Sequence, residues 1–423
     1  MPLSHNAQRR DHLQQLFFWT VCSRAVPLVL LAHASGLALF DDSPHLDSPS
    51  KTRPPSPLLR WDTFHYLHIA KHGYVYEHEW AFFPGVPFVM RLLAQPLQYL
   101  THLESSQNFL LSGALLAMSC DTTWTLYDLT YHHLKSLHLA YIASLLSLLP
   151  SSPTTLHLAP YAEPYFTYLA YKGLLYCAQK RWVFAALCFF FAGFFRSNSV
   201  LLSGFLLWGV LLEPALLKRA VRSQLSLSSL IRATVLISLV ISPVLYHNYS
   251  AYLAFCVRSP SPASWCSNTI PSIYTHVQST YWGSGLFNYW TIQQLPNFIM
   301  AAPPLILLFA FILWHLPRAL FRLLIESSSL KDSLQHRESG LIPLFTSISL
   351  IPHSIHALVF CSVLLFSAHT QIILRLAASM PLTYWAGAWL LVQHPKYASL
   401  WIGWSVLWSV ISVVLWAIFL PPA

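Results

Sequence analysis

The stretch from Arg60 to Pro87, RWDTFHYLHIAKHGYVYEHEWAFFPGVP, holds the densest group of reactive side chains in the sequence. Its carboxylate Asp62 follows Trp61 at the start of a predicted helix, and Tyr66 lies on the next turn. Asp62 could accept a proton from an attacking sugar hydroxyl while Trp61 and Tyr66 stack on sugar faces. The alternative is that Asp62 only caps the helix.

No metal-binding or nucleotide-binding pattern accompanies this acid. Glu77, His78 and Glu79 lack the i, i+4 spacing of a helical zinc pair. They form a solvated or hydrogen-bonded turn, or Glu77 and His78 contact substrate. The sequence contains no DxD motif, no Rossmann glycine pattern and no P-loop. A nucleotide-sugar donor is therefore not expected, and we predict a reaction that needs no cofactor and no metal ion.

Three charged residues lie in or beside apolar stretches, where a charge is costly and therefore suggests a function. Arg196 lies in FFRSN at a predicted turn, Arg375 lies in HTQIILR inside a predicted span, and Glu163 lies in APYAEPYF at the start of another. All three could converge with Asp62 at one level. Two arginines would neutralise a lipid phosphate by bidentate hydrogen bonds without a metal. Internal ion pairs or snorkelling are the structural alternative.

A second polar stretch, WCSNTIPSIYTHVQSTYWGSGLFNYWTIQQLPNFIMAAP, covers residues 265–303. Its aromatic rings and amide donors suit a carbohydrate, and an interfacial aromatic belt is the alternative. The candidate substrate contacts in this stretch are His276, Gln278, Tyr281 and Trp282.

The elements that position these residues must lie in a membrane. Of the 423 residues, 55% are hydrophobic and 9% are charged, whereas a soluble domain has about 25% charged residues. Most of the surface must therefore face lipid. We predict an all-α polytopic membrane protein, with one integral membrane domain over residues 1–423. The formal charge of +9 fits basic loops that orient membrane helices.

Apolar stretches predict about eleven transmembrane helices. They cover residues 17–40, 107–130, 137–152, 156–178, 182–195, 198–213, 231–249, 298–317, 341–366, 370–392 and 399–420. With eleven spans all basic clusters fall on one side, which the positive-inside rule makes cytosolic. These clusters are Arg9 and Arg10, Lys135, Lys180 and Arg181, Lys218 with Arg219, Arg222 and Arg232, Arg318 with Arg322, Lys331 and Arg337, and Lys396.

The two longest gaps, 41–106 and 250–297, are then lumenal loops. The first opens with a Pro/Ser-rich segment and continues after Trp80 as a predicted interfacial helix. The second contains Cys256 and Cys266, which could form a disulfide in an oxidising lumen. The sequon at Asn248 abuts a predicted span, which leaves its glycosylation open.

These stretches resemble the GPI mannosyltransferase 2 family (the PIG-V type), a member of the GT-C superfamily of polytopic glycosyltransferases. The likeness covers most of the chain and is strongest at residues 60–87, followed by 194–198, 273–303 and 369–385. The WD…GY…EHEWAFFP arrangement is specific to this family, and the later stretches follow in the expected order. One departure is Leu376, where the family more commonly has Phe.

The resemblance implies an endoplasmic reticulum membrane enzyme that takes mannose from dolichyl-phosphate-mannose. It would add the second mannose of the GPI anchor precursor in α-1,6 linkage. The family pattern makes Asp62 the catalytic aspartate, and Arg196 and Arg375 are then expected to contact phosphate or glycan. A β-linked donor and an α-linked product imply one inverting displacement. Fungal relatives suggest a small accessory membrane subunit as a partner.

Two other functions remain open from the sequence. One is another dolichyl-phosphate-sugar-dependent GT-C transferase, whose loop motifs should differ from the WD…AFFP block. The other is a lipid transporter or scramblase. That class favours inverted repeats and charges near the bilayer midplane, whereas the charges here are predicted at the lumenal level.

Overall fold

The computed structural model describes residues 5–41, 43, 56–101, 103–217, 226–326 and 342–422. All regular elements in these ranges are helical, which confirms the all-α class. The α-helices are α1 (His5–Ala34), α2 (Asp62–His72), α3 (Gly85–Thr101), α4 (Ser105–Ser119), α5 (Thr123–Leu134), α6 (Leu137–Leu146), α7 (Glu163–Ala178), α8 (Trp182–Ala192), α9 (Ser203–Leu207), α10 (Glu213–Leu217), α11 (Leu227–Tyr252), α12 (Ile273–Thr280), α13 (Leu295–Glu326), α14 (Ile342–Phe345), α15 (Ile351–Phe366), α16 (Ile373–Leu376), α17 (Pro381–Gln393) and α18 (Pro395–Ala417). The basic residues Lys218, Arg219, Arg222, Lys331 and Arg337 lie outside the described residues.

Six helical stretches within these ranges are long and apolar enough to cross a membrane. They are His5–Ala34, Ser197–Leu216, Leu227–Val257, Ile292–Leu324, Ile348–Phe366 and Pro395–Ala417. Leu137–Leu146 and Trp182–Ala192 are apolar but shorter. The polytopic membrane class is confirmed, whereas the predicted total of about eleven spans is not.

The difference arises because several predicted spans are broken. The predicted span 107–130 divides into α4 and α5, and the predicted span 370–392 divides before Pro381. The predicted span 156–178 becomes α-helical only at Glu163, after a π-helical turn at Thr154–Leu158. Non-helical backbone is tolerated at membrane depth where it is buried in protein or lines a cavity. Glu163 and Arg375 lie beside two of these breaks.

The apolar core lies among α5, α6, α7, α8, α13, α15 and α17. One polar bond inside it joins two helices, because the Trp385 indole Nε1 donates to Thr130 Oγ1 at 2.8 Å. Both side chains are fully buried, so the bond satisfies groups that could not reach water.

A glycine brings the first predicted lumenal loop against the turn that carries Arg196. The Gly85 amide donates to the Phe194 carbonyl at 2.8 Å. A Cβ at residue 85 would lie 2.7 Å from that oxygen. Any larger residue would therefore push α3 away from this turn.

A disulfide and two hydrogen bonds fix the first half of the second predicted lumenal loop. Cys256 and Cys266 form a disulfide with their Cα atoms 5.6 Å apart, which confirms the predicted pairing. The Asn248 Oδ1 accepts from Ser272 Oγ at 3.1 Å and from the Tyr274 amide at 3.3 Å. The sequon asparagine therefore holds the loop against α11.

Candidate functional site

Asp62 is the first residue of α2, and the loop before it is held by buried hydrogen bonds. Arg60 is 1% exposed, and its guanidinium donates to the carbonyl of Trp416 at 3.1 Å and to that of Ala417 at 2.8 Å. The Tyr161 hydroxyl donates to the Arg60 carbonyl and accepts from the Asp62 amide, each at 3.2 Å. The end of α18 and the turn before α7 therefore fix where Asp62 begins its helix.

Trp61, between these two anchored residues, has a φ angle of 38°. This left-handed conformation is strained for a residue with a side chain, and such strain occurs at functional sites. Its indole stacks on Phe419 with ring centroids 5.0 Å apart and meets the edge of Trp416 at 5.0 Å. The backbone strain is thus held in place by aromatic packing from the C-terminal end of α18.

Four charged side chains meet beside this loop. Arg375 donates from Nη2 to Asp62 Oδ2 at 2.8 Å and from Nε to Glu163 Oε1 at 2.8 Å. Arg196 donates from Nη1 to the same Glu163 oxygen at 2.9 Å. The Glu163 side chain is 1% exposed, whereas that of Asp62 is 27% exposed. Glu163 therefore lies beneath the two arginines, and Asp62 faces open space.

The Asp62 carboxylate is placed for more than helix capping. Asp62 occupies the first helical position and not the cap position, and its described side-chain bond goes to Arg375. A capping side chain would instead accept from a backbone amide of the first turn. The helix N-terminus still favours its negative charge.

The open space is a cavity of about 290 Å³, near the lower end of the roughly 300–1,000 Å³ of small-ligand sites. Seven of the predicted site residues line it, namely Trp61, Asp62, Tyr66, Arg196, Gln278, Trp282 and Arg375. Glu163 supports it from below through the two arginines. The cavity thus combines a carboxylate, two guanidinium groups and aromatic walls, a set that suits a charged sugar derivative.

The other four predicted residues lie outside this cavity. Glu77 accepts from Trp265 Nε1 at 2.9 Å and from the Tyr281 hydroxyl at 3.4 Å. His276 Nε2 lies 3.6 Å from Glu77 Oε2, and the His78 ring lies 5.7 Å from that of Tyr281. These residues join the two predicted lumenal loops. Their predicted contact with substrate gains no support from the cavity.

Sequence reasoning missed three residues that build the site. Arg60 and Tyr161 fix the loop before Asp62, and His369 Nε2 donates to the Trp282 carbonyl at 2.7 Å. All three stand inside the motifs quoted above, next to Trp61, two residues before Glu163 and at the start of HTQIILR. Their positions beside the candidate residues were the signal in the sequence that could have identified them.

Arg60, in the loop before Asp62, keeps its positive charge although it is buried. Burial lowers the pKa of Arg60 to about 10, so this residue stays a cation at neutral pH. The Phe419 ring lies 5.4 Å from its guanidinium, close enough for a cation–π contact. Arg60 therefore adds a positive charge behind the cavity while its hydrogen bonds go to carbonyl oxygens.

Within the described ranges, no three His, Cys, Asp or Glu side chains are grouped to hold a metal ion. The chemistry that this cavity offers comes from its own side chains: a carboxylate that can accept a proton and guanidinium groups that can bind an anion. Independence from metal ions remains a prediction.

Sequence comparisons with known proteins identify mannosyltransferases. A family profile described as Mannosyltransferase (PIG-V) matches residues 46–423. GPI mannosyltransferase 2 of Cryptococcus neoformans var. neoformans serotype D (strain JEC21) is 34% identical over 96% of this chain and 98% of its own. GPI alpha-1,6-mannosyltransferase 2 of Rattus norvegicus is 31% identical over 79% of this chain and 73% of its own. The human protein of the same name is 30% identical over 81% and 75%.

Among solved structures, an oligosaccharyltransferase of Archaeoglobus fulgidus, crystallised with a tethered acceptor peptide, aligns with 96% of this chain and 56% of its own. The TM-score is 0.40 and the sequence identity is 10%. A likeness at this level carries no argument about the site.

Proposed function

Because the chain belongs to the mannosyltransferase (PIG-V) family, we propose that it adds the second mannose, in α-1,6 linkage, to the GPI anchor precursor. Family membership makes it a glycosyltransferase. The relatives' names supply the acceptor and the linkage. The observation that carries the proposal is the cavity that Asp62 lines together with the two arginines.

The proposed donor is dolichyl-phosphate-mannose. Its leaving group is a phosphate anion, which needs cations more than it needs a general acid. Arg196 and Arg375 line the cavity with their guanidinium groups, and planar guanidinium forks bind phosphate by two parallel hydrogen bonds. This arrangement supports a phosphate-linked donor.

The proposed base is Asp62. The acceptor 6-hydroxyl loses its proton to this carboxylate, its oxygen bonds to the anomeric carbon, and the bond from that carbon to the phosphate oxygen breaks. The electron pair leaves on dolichyl phosphate. A β-linked donor then gives an α-linked product in one displacement, which requires one carboxylate on the acceptor side.

We expect this transfer to proceed without a divalent metal, because no carboxylate pair in the sequence forms a DxD motif. Transfer in purified membranes should continue after treatment with a chelator. Loss of activity that Mn²⁺ or Mg²⁺ restores would contradict this prediction.

The enzyme is expected in the endoplasmic reticulum membrane, with a small accessory membrane subunit as a further partner. The six apolar helices support a membrane location. Copurification from detergent followed by identification of bound chains tests for the subunit.

The deciding experiment identifies the glycolipid that accumulates when the gene is removed. We expect a GPI precursor with one mannose, and restoration of later precursors by the wild-type chain. The Asp62→Asn chain at equal abundance should fail to restore them. Accumulation of a truncated N-glycan precursor with normal GPI precursors would indicate a different acceptor.

A further inference from the structure

A second cavity lies against the same helix that begins with Asp62. It encloses about 380 Å³, which is within the roughly 300–1,000 Å³ range of small-ligand sites. Its walls include Phe64, His65, His68, His72, Tyr76 and His78, which we call the histidine cleft. None of the proposed steps above uses it.

The histidine cleft adjoins the Asp62 cavity through a shared wall. His65 lines the cleft, and its ring stacks on Phe82 with centroids 4.4 Å apart. Phe82 in turn lines the Asp62 cavity. On α2, Asp62 and His65 are three residues apart, so their side chains are neighbours on the helix surface. The two cavities therefore lie on either side of this ring pair, about one turn of α2 apart.

Hydrogen bonds of Glu79 hold the walls of the cleft together. Glu79 accepts from the amides of Val75 and Tyr76 at 2.7 and 2.8 Å, and it also bonds His68. The Glu79 side chain is 2% exposed, so this carboxylate holds the loop at Tyr76 and one ring of the cleft. The ring of His78 stacks on that of Tyr76 at 5.7 Å with an interplanar angle of 7°.

The chemistry of the cleft suits a polyhydroxylated ring. Burial lowers the pKa of His65, so this imidazole is neutral near pH 7 and can both donate and accept hydrogen bonds. The rings of Phe64 and Tyr76 offer apolar faces, and Tyr76 adds a hydroxyl. No group of metal ligands is present in the described ranges. Such a neutral imidazole beside aromatic rings can bind sugar hydroxyls while the rings contact the faces of the sugar.

We propose that the histidine cleft binds the part of the acceptor glycolipid that precedes the reacting mannose. This inference rests on the proposed function. The reacting sugar occupies the Asp62 cavity, and the next rings of the acceptor glycan pass the His65–Phe82 wall into the cleft. The cleft thereby selects an acceptor of sufficient length and places its terminal hydroxyl at Asp62.

The test compares His72→Ala and Tyr76→Ala, which lie in the cleft but do not line the Asp62 cavity. We expect each to raise the KM for a one-mannose GPI acceptor about tenfold, with kcat and the donor KM unchanged. Tyr99→Ala and His138→Ala remove exposed residues outside both cavities and should leave all three values unchanged.

Photo-crosslinking keeps the test independent of turnover. A photoreactive amino acid at position 76 of the full chain in membranes should label a radioactive one-mannose acceptor, and the same group at position 99 should not. Equal labelling at both positions overturns the inference, as does an unchanged acceptor KM in both cleft variants. Competition by inorganic phosphate that disappears in His72→Ala would show an anion site and would also overturn it. If the wild-type chain transfers no mannose to this acceptor, the proposed function itself fails.

Discussion

At the scale of single residues, the site depends on which charge each carboxylate meets. Glu163 lies beneath two arginines and serves both, while Asp62 meets only one of them and faces the cavity. The two acids therefore have different environments although both touch Arg375. The exposed acid is suited to proton transfer, and the buried acid holds the guanidinium groups in place.

Asp62→Asn tests the base. The amide keeps the size of the side chain and caps a helix about as well as the acid, but it cannot take the proton. We expect transfer to fall by about 10²–10⁴-fold, the usual contribution of general acid–base catalysis, with protein abundance unchanged. Mannose transfer in membranes at equal protein level measures this. Near-normal transfer would show that Asp62 is not the base.

Arg375→Lys tests the fork that joins the two acids. Lysine keeps the charge but cannot reach Asp62 and Glu163 in the same planar geometry. Hydrogen bonds to charged groups contribute about 1.5–3 kcal/mol, so we expect kcat to fall by about 10–100-fold. Arg258→Lys changes an exposed arginine of the second predicted lumenal loop and is the matched control. An unchanged kcat would show that only the charge of Arg375 matters.

At the scale of elements, the site is assembled from helix ends. Asp62 begins α2, Glu163 begins α7, Arg375 lies in the short α16, and Arg196 lies in the turn after α8. The end of α18 adds the two carbonyl groups that hold Arg60. The site residues thus lie at helix ends, although the sequence predicts continuous membrane spans around Glu163 and Arg375.

Arg60→Lys tests whether the end of α18 positions Asp62. A lysine at this buried place cannot donate to both the Trp416 and Ala417 carbonyls through a rigid fork. We expect kcat to fall about tenfold, corresponding to about 1.4 kcal/mol, while both KM values stay near those of the wild type. A thermal melt in detergent reports any loss of fold. A higher KM with unchanged kcat would assign Arg60 to substrate binding instead.

Seven residues selected from the sequence line one cavity, whereas the breaks in the helices that carry them were not predicted. The high cost of a charge in an apolar stretch was enough to select Arg196, Arg375 and Glu163. A hydropathy window scores only apolar content, so it did not detect the breaks at Met380 and Ala159, which are extended because each precedes a proline. Of the rings that line the histidine cleft, only His78 was selected from the sequence, because the cleft joins residues of α2 to the turn that Glu79 organises.

At the scale of the whole molecule, two loops cover one end of a helical core. Glu77 of the first predicted lumenal loop accepts from Trp265 of the second. Trp80 packs in one apolar cluster with Trp265 and Ala251. The cavity lies between these loops and the helix ends beneath them, so the fold needs both loops on the same side of the membrane.

The predicted orientation follows from the basic clusters. We expect the N-terminus and residues 214–232 in the cytosol, and residues 250–297 and the C-terminus in the lumen. Glycosylation tags inserted at each place measure this, because only lumenal tags gain glycans. A glycosylated tag within 214–232 would reverse the assignment, and an unmodified tag in the 250–297 loop would contradict the predicted lumenal position of the site.

The bond between Arg375 and Asp62 also affects the fate of a donor that is bound in the cavity without an acceptor. A sugar phosphate can lose its sugar to water as well as to an alcohol, and an unrestrained carboxylate would assist either reaction. While Asp62 Oδ2 accepts from Arg375, the guanidinium fixes the orientation of the carboxylate, so only a hydroxyl held in line with its other oxygen is well placed to lose a proton. An acceptor glycan bound at several points can hold its hydroxyl there, whereas a single mobile water is not held. We therefore expect the resting ion pair to suppress futile hydrolysis, so that each donor molecule yields a glycosidic bond and not free mannose.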